Sequence, residues 1–215
     1  MEIVVIGNEI NLKESRQKFG DHHHYRFVNS HLEVENILRP EAIVLDFKIS
    51  AQPHQISVYH NFSGVVFLDS SRNALTQMIH ESSATFFGFC GLATFLNREI
   101  LEVSLLKKKD LDKLEDVCGK LSTKFAIVKD QVGLVTARVI CMIINEAYFS
   151  IQENIASRED IDLAMKLGTN YPFGPFEWGE KIGIINVYEL LKAVYEHTKE
   201  ERYEVCELLK NEALG

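Results

Sequence analysis

The sequence predicts an α/β part, a doubly wound parallel sheet over residues 1–130, followed by an all-helical part over residues 131–215. Two observations carry this. In the first part short β-branched or aromatic runs alternate with helical stretches, which argues strand–helix–strand units. From residue 131 onward the strand punctuation stops and apolar residues recur at helical spacing. Composition agrees: 46% hydrophobic and 25% charged is ordinary globular usage and excludes a disordered chain, a collagen-like repeat and a coiled-coil rod.

Ile3 to Ile6 is an unbroken apolar run ending at Gly7, as a strand buried on both faces requires. Asn11 to Phe19 is helical in character, with space for only a short first helix. Tyr25 to Val28 reads as a second strand, and Leu32 to Leu38 as a short helix stopped by Pro40. Ala42 to Phe47 and Gly64 to Leu68 are the next strands. Asn73 to His80 carries a helical stripe of Leu75, Met78 and Ile79. Thr85 to Phe89 and Ile100 to Leu106 are strands again. Leu111 to Leu121 is an amphipathic helix, and Phe125 to Val128 closes the sheet. In the second part Gln131 to Gln152 reads as one long helix. Ser157, followed by Glu159 and Asp160, caps the next helix, which ends at Gly168. Tyr171 to Phe176 reads as a rigid aromatic turn, and helices over 185–195 and 201–211 finish the chain.

The formal net charge of −8 disfavours a phosphate backbone as partner. No apolar stretch is long enough for a membrane span, and the N-terminus lacks a basic, then apolar leader, so a cytoplasmic protein is expected. Cys90, Cys118, Cys141 and Cys206 are widely spaced and read as reduced, mostly buried thiols. His22, His23 and His24 are adjacent, which suits a solvated loop rather than a metal site. His31, His54, His60 and His80 show no triad pattern and are expected at the surface. Phe86, Phe87, Phe89 and Phe95 are expected in the core. The long helix has more apolar residues, among them Val139, Ile143 and Ile144, than one helical layer buries, so a homodimer is expected.

Several segments of the second part then fall into a recognisable order: Gly133 to Arg138, Asn145-Glu146-Ala147, Ala156 to Asp162, Ala164 to Gly168 and Tyr171 to Glu177. Their order and spacing resemble the C-terminal domain of the 3-hydroxyacyl-CoA dehydrogenases. The resemblance implies a Rossmann-like N-terminal domain, here short for the family, and a helical domain that dimerises and helps hold an acyl-CoA. It also implies NAD as cofactor, oxidation of the 3-hydroxyl of an acyl-CoA, and a place in fatty-acid metabolism.

The family's catalytic histidine lies on a strand end in a Phe-Gly-Leu-His context, and its glutamate follows twelve positions later. Here Phe87-Gly88-Phe89-Cys90 and Ile100-Leu101-Glu102-Val103 keep that interval, so Glu102 matches the glutamate and Cys90 stands at the histidine. The family's substrate-bonding serine maps to Ser71, with Ser70 as the alternative register. Its substrate-contacting asparagine maps to Ala137. A thiol has an ordinary pKa of about 8.5, and a neighbouring carboxylate raises it, so Cys90 is a poor general base. Losing a positioned base costs about 10²–10⁴-fold in rate.

The dinucleotide fingerprint needs Gly-x-Gly-x-x-Gly. This chain has Gly7, then Glu9 and Leu12 where the second and third glycines belong, and at best Asn29 for the ribose-binding acid. A carboxylate about 4 Å from a phosphate costs about 4 kcal/mol at a near-surface dielectric. The helix dipole returns only about 0.3–1 kcal/mol. The expectation is a family protein with weakened or lost NAD-dependent oxidation that retains dimerisation and acyl-CoA binding. The alternatives are an active NAD-dependent 3-hydroxybutyryl-CoA dehydrogenase and a non-catalytic assembly partner.

Overall fold

A computed structural model describes residues 1–34, 36–80 and 83–215. The chain divides into two compact units, Met1–Leu134 and Val135–Gly215. In the first, seven strands form one sheet in the order β2-β1-β3-β4-β5-β6-β7. These are β1 Glu2–Ile6, β2 His24–Val28, β3 Ile43–Asp46, β4 Val65–Asp69, β5 Thr85–Phe89, β6 Ile100–Leu105 and β7 Lys124–Val128. The first five run parallel, as the apolar runs predict. β6 departs from the all-parallel expectation: it pairs antiparallel with β5 and parallel with β7. The physical reason is the connection. Only the short, turn-rich segment 90–99 joins β5 to β6, with no crossover helix to carry the chain back for a parallel return.

The unbroken apolar strands are explained by burial on both faces. Ile3, Val5, Leu45, Phe67, Phe87, Phe89, Leu101 and Val103 point to one side. They are covered by α1 (Glu9–Phe19) and α3 (Leu111–Lys120). Val4, Ile6, Val44, Val66, Leu68 and Phe86 point to the other, under α2 (Leu75–Met78) and the segment around Tyr59. Phe86, Phe87, Phe89 and Phe95 are all core, as expected.

The helices of this unit differ from the sequence expectation. α1 starts at Glu9, earlier than predicted, because Asn8 caps it. Residues 31–33 make a single 3-10 turn rather than the helix expected over 32–38, of which Glu35 lies outside the described residues. The stripe over 73–80 shrinks to α2, because Ile79 is already extended.

In the second unit α4 (Thr136–Gln152) is central, packed by α6 (Pro175–Ile182), α7 (Ile184–Thr198) and α8 (Glu207–Leu214). It begins at Thr136, not at residue 131. Buried Asn145 holds the chain leading into α8: its amide donates to the Glu204 carbonyl (2.9 Å) and its oxygen accepts from Cys206 N–H (2.9 Å). The 201–211 helix of the sequence reading is therefore split into a 3-10 turn, Glu201–Tyr203, and α8.

α5 (Arg158–Thr169) is capped by Ser157, as predicted. The aromatic turn opens into α6, which sequence inspection missed. Pro175 sits at its first turn, and Asp162 of α5 accepts the N–H groups of Phe176 (2.8 Å) and Glu177 (3.1 Å). All four cysteines are buried and none forms a disulfide. No helix among the described residues is long and apolar enough to cross a membrane.

Candidate functional site at the carboxyl ends of the strands

In sheets of this type ligands bind beyond the carboxyl ends of the strands, where the strand order reverses. Here that point lies between β1 and β3. The residues there bond to their own chain. After β1, the Asn8 side chain accepts Asn11 N–H (3.0 Å) while the Asn11 side chain accepts Asn8 N–H (2.8 Å). This reciprocal cap consumes amides that would otherwise face an anion. Gly7 is kept, but a Cβ placed on it would lie 2.5 Å from Asn11 Oδ1. The space in front of the glycine is thus filled by Asn11. Glu9 adds a carboxylate in the first turn, and Leu12 packs into the core where a glycine would let helix and strand approach. The carbonyl of Asn29, at the place of the ribose acid, takes the Lys48 ammonium. These residues do not fit a dinucleotide pyrophosphate.

At the end of β4 lies a second closed cluster. Asp69 accepts N–H from Gly91 (2.8 Å) and Ser71 (3.0 Å) and the Ser71 hydroxyl (2.9 Å). Burial pushes its carboxyl above the usual range against the pull of these donors. Ser71 and Ser50 hydroxyls meet at 3.1 Å, and Ser50 in turn accepts Arg72 N–H. With its proton on Asp69, Ser71 receives the Ser50 hydroxyl, and its side chain is fully buried. Ser70, the alternative, is also fully buried, with its hydroxyl on the Leu68 carbonyl.

Cys90 follows β5 and is 5% exposed. The β5–β6 register pairs Phe87 with Leu105 and Gly88 with Ser104, so Cys90 and Glu102 lie just beyond β5 and on β6 of one strand pair. Arg98 carries a charge felt by both: burial lowers its pKa, while Glu102 and Cys90 oppose that shift. The 90–99 segment is tied to α1, where Glu14 accepts Thr94 N–H (2.9 Å), Gln17 accepts the Asn97 amide (3.0 Å) and Lys18 donates to the Arg98 carbonyl. Ala137 is fully buried in α4 of the other unit. No group of three metal-ligating side chains occurs among the described residues.

Two expectations about histidines are corrected. His31 is buried, not superficial: its Nε2 lies 2.8 Å from Asp46 Oδ2, which also accepts the Tyr59 hydroxyl (2.8 Å). His23 is buried against the His22 and Tyr25 rings, whereas His22 and His24 are solvated as expected. Sequence reasoning also missed Asp130, marked only as a boundary. It caps α2 through Leu75 N–H (2.9 Å) and Thr76 N–H (3.0 Å).

The architecture is thus a Rossmann-like α/β unit followed by a helical unit. A crystal structure of (S)-3-hydroxybutyryl-CoA dehydrogenase from Ralstonia eutropha shares the fold, with a TM-score of 0.70 over 98% of this chain and 92% of that one, at 17% identity. The sequence of residues 133–213 matches the family described as 3-hydroxyacyl-CoA dehydrogenase, C-terminal domain. The Escherichia coli (strain K12) protein named 3-hydroxyadipyl-CoA dehydrogenase is 45% identical over 87 residues, which are 40% of this chain and 18% of that protein. The mitochondrial hydroxyacyl-coenzyme A dehydrogenase of Sus scrofa is 28% identical over 152 residues, 67% of this chain and 48% of that protein. The matched stretches therefore span less than half of these relatives. Residues 133–213 are thus similar to the C-terminal domain of the 3-hydroxyacyl-CoA dehydrogenases.

Proposed function

We propose that this chain is a 3-hydroxyacyl-CoA dehydrogenase homologue that has given up NAD-dependent oxidation while keeping a helical domain for dimerisation and for holding an acyl-CoA. The observation that carries this reading is the Asn8–Asn11 cap across Gly7, which occupies the phosphate cradle with the chain's own side chains. Cys90 supports it, since a thiol stands where the resemblance places the imidazole that would take the hydroxyl proton. The experiment is a dehydrogenase assay with 3-hydroxybutyryl-CoA and NAD, followed by NADH absorbance. The expected rate is at least about 10²-fold below an ordinary family enzyme assayed beside it. A comparable rate would establish instead the active NAD-dependent enzyme that retained Glu102 suggests.

Dimerisation is supported by an uncovered apolar stripe. α5 buries only Asp162 and leaves Leu163 and Leu167 53% and 78% exposed, and α4 leaves Val139 51% exposed. A partner face of the same kind would cover them. Light scattering should give about twice the 24.6 kDa chain mass. Leu163→Lys with Leu167→Glu should return it to the single-chain value, and a monomeric wild type would refute the dimer.

A further inference from the structure

The carboxyl end of β3 carries a buried cluster that neither the family reading nor the proposed function uses. We propose that His31, Asp46 and Tyr59 form a proton-controlled latch that keeps the 47–52 turn, and with it Ser50, docked against Ser71.

Both ring nitrogens of His31 face acceptors. Nε2 meets Asp46 Oδ2 at 2.8 Å and Nδ1 meets the Gln52 side-chain oxygen at 3.3 Å. An imidazolium satisfies both with its two N–H groups, whereas a neutral ring carries one N–H and leaves a lone pair against the other oxygen. The second Asp46 oxygen accepts Lys48 N–H (2.9 Å) and Ile49 N–H (3.0 Å), so the same carboxylate shapes the turn. One residue beyond Ile49, Ser50 bonds Ser71, Arg72 N–H and the Asn73 amide. The proton on His31 is thereby linked through Asp46 to the turn that supports Ser71.

The groups facing His31 are Asp46 from β3, Lys48 and Gln52 from the turn, and Tyr59 beyond it through the shared carboxylate. On its own 3-10 turn Glu33 is exposed. Burial disfavours the cation and Lys48 repels it. The Asp46 bond and charge, with the Gln52 bond, outweigh both and leave the pKa above the ordinary 6.5. Tyr59 stays protonated, since burial and Asp46 hold its pKa well above the usual phenol value. The folded pKa of His31 is raised, so its contribution is complete below the unfolded value. That contribution is lost as pH rises through the folded one.

The test is an NMR titration of the His31 ring in the full chain, with amide-exchange protection of Lys48, Ile49 and Arg72 measured over the same range and repeated in His31→Gln. Protection is corrected for intrinsic exchange. His31 is expected to titrate above 6.5. Protection at the three amides is expected to fall several-fold with the same midpoint, while His31→Gln shows no such step. Titration at or below the ordinary value, or flat protection at these amides in the wild type, overturns the latch. The wild-type midpoints decide the matter alone if the variant does not fold.

Discussion

Replacing Asp46 by Ala is expected to destabilise the sheet unit by about 3–5 kcal/mol, the usual cost of stranding the partner of a buried ion pair. The carboxylate is fully buried and accepts from His31, Tyr59, Lys48 N–H and Ile49 N–H. Alanine leaves four donors without an acceptor, and each unsatisfied buried group costs about 1–3 kcal/mol before relaxation. A domain's whole stability is only about 5–15 kcal/mol. Asp46→Asn keeps the shape and one acceptor oxygen, so it should lose distinctly less. Urea unfolding followed by far-UV circular dichroism reads both. An alanine variant within about 1 kcal/mol of wild type would show that the cluster contributes little beyond the apolar core around it.

Gly174→Ala is expected to be the most damaging single methyl in the helical unit. The added carbon would lie 2.2 Å from Asp162 Cγ and 2.3 Å from its Oδ1. Either α6 moves off its cap or Asp162 swings away, and the Phe176 and Glu177 amides lose their acceptor. The expected loss is about 2–4 kcal/mol, combining overpacking with a lost cap. Asp162→Ala removes the cap without the clash and should cost about 1–3 kcal/mol. Because the two changes break one contact, the double variant should lose less than the sum of the singles. Simple additivity in the same unfolding experiment would mean that the Asp162–Gly174 contact does not limit α6.

The inner strands β1, β3, β4 and β5 were the most legible part of the fold, since burial on both faces leaves an unbroken apolar run. Thr85 to Phe89 was bounded correctly from its residues alone. The antiparallel turn into β6 left no mark, because side-chain periodicity is identical in either direction. α6 was hidden by its own cap. Gly174-Pro175 reads as a turn until Asp162, twelve residues earlier, is seen to supply the helix's missing acceptor.

Family positions such as Gly7, Cys90 and Glu102 can be counted along the sequence, whereas partners brought together from distant segments cannot. Asp46 gave a usable signal: an acid at the end of the apolar run Ala42-Ile43-Val44-Leu45 demands a buried partner. Sequence spacing did not say that His31, fifteen residues earlier, provides it. Ser71 shows the same limit in reverse. Its position could be counted, but its burial behind Asp69 and Ser50 is a property of three segments brought together.

We propose that the sheet unit has closed its cofactor cradle while the helical unit still holds an acyl-CoA. Thermal unfolding of the full chain with millimolar NAD and, separately, with acetoacetyl-CoA tests both halves of this proposal. A ligand at about 100 times its dissociation constant adds about 2.7 kcal/mol to the state it binds. That corresponds to a rise of several degrees, at roughly 2–4 °C per kcal/mol for a chain of this size. No shift is expected with NAD, and a rise is expected with acetoacetyl-CoA. A rise with NAD would contradict the proposal, because the Asn8–Asn11 cap would then have to open for the cofactor.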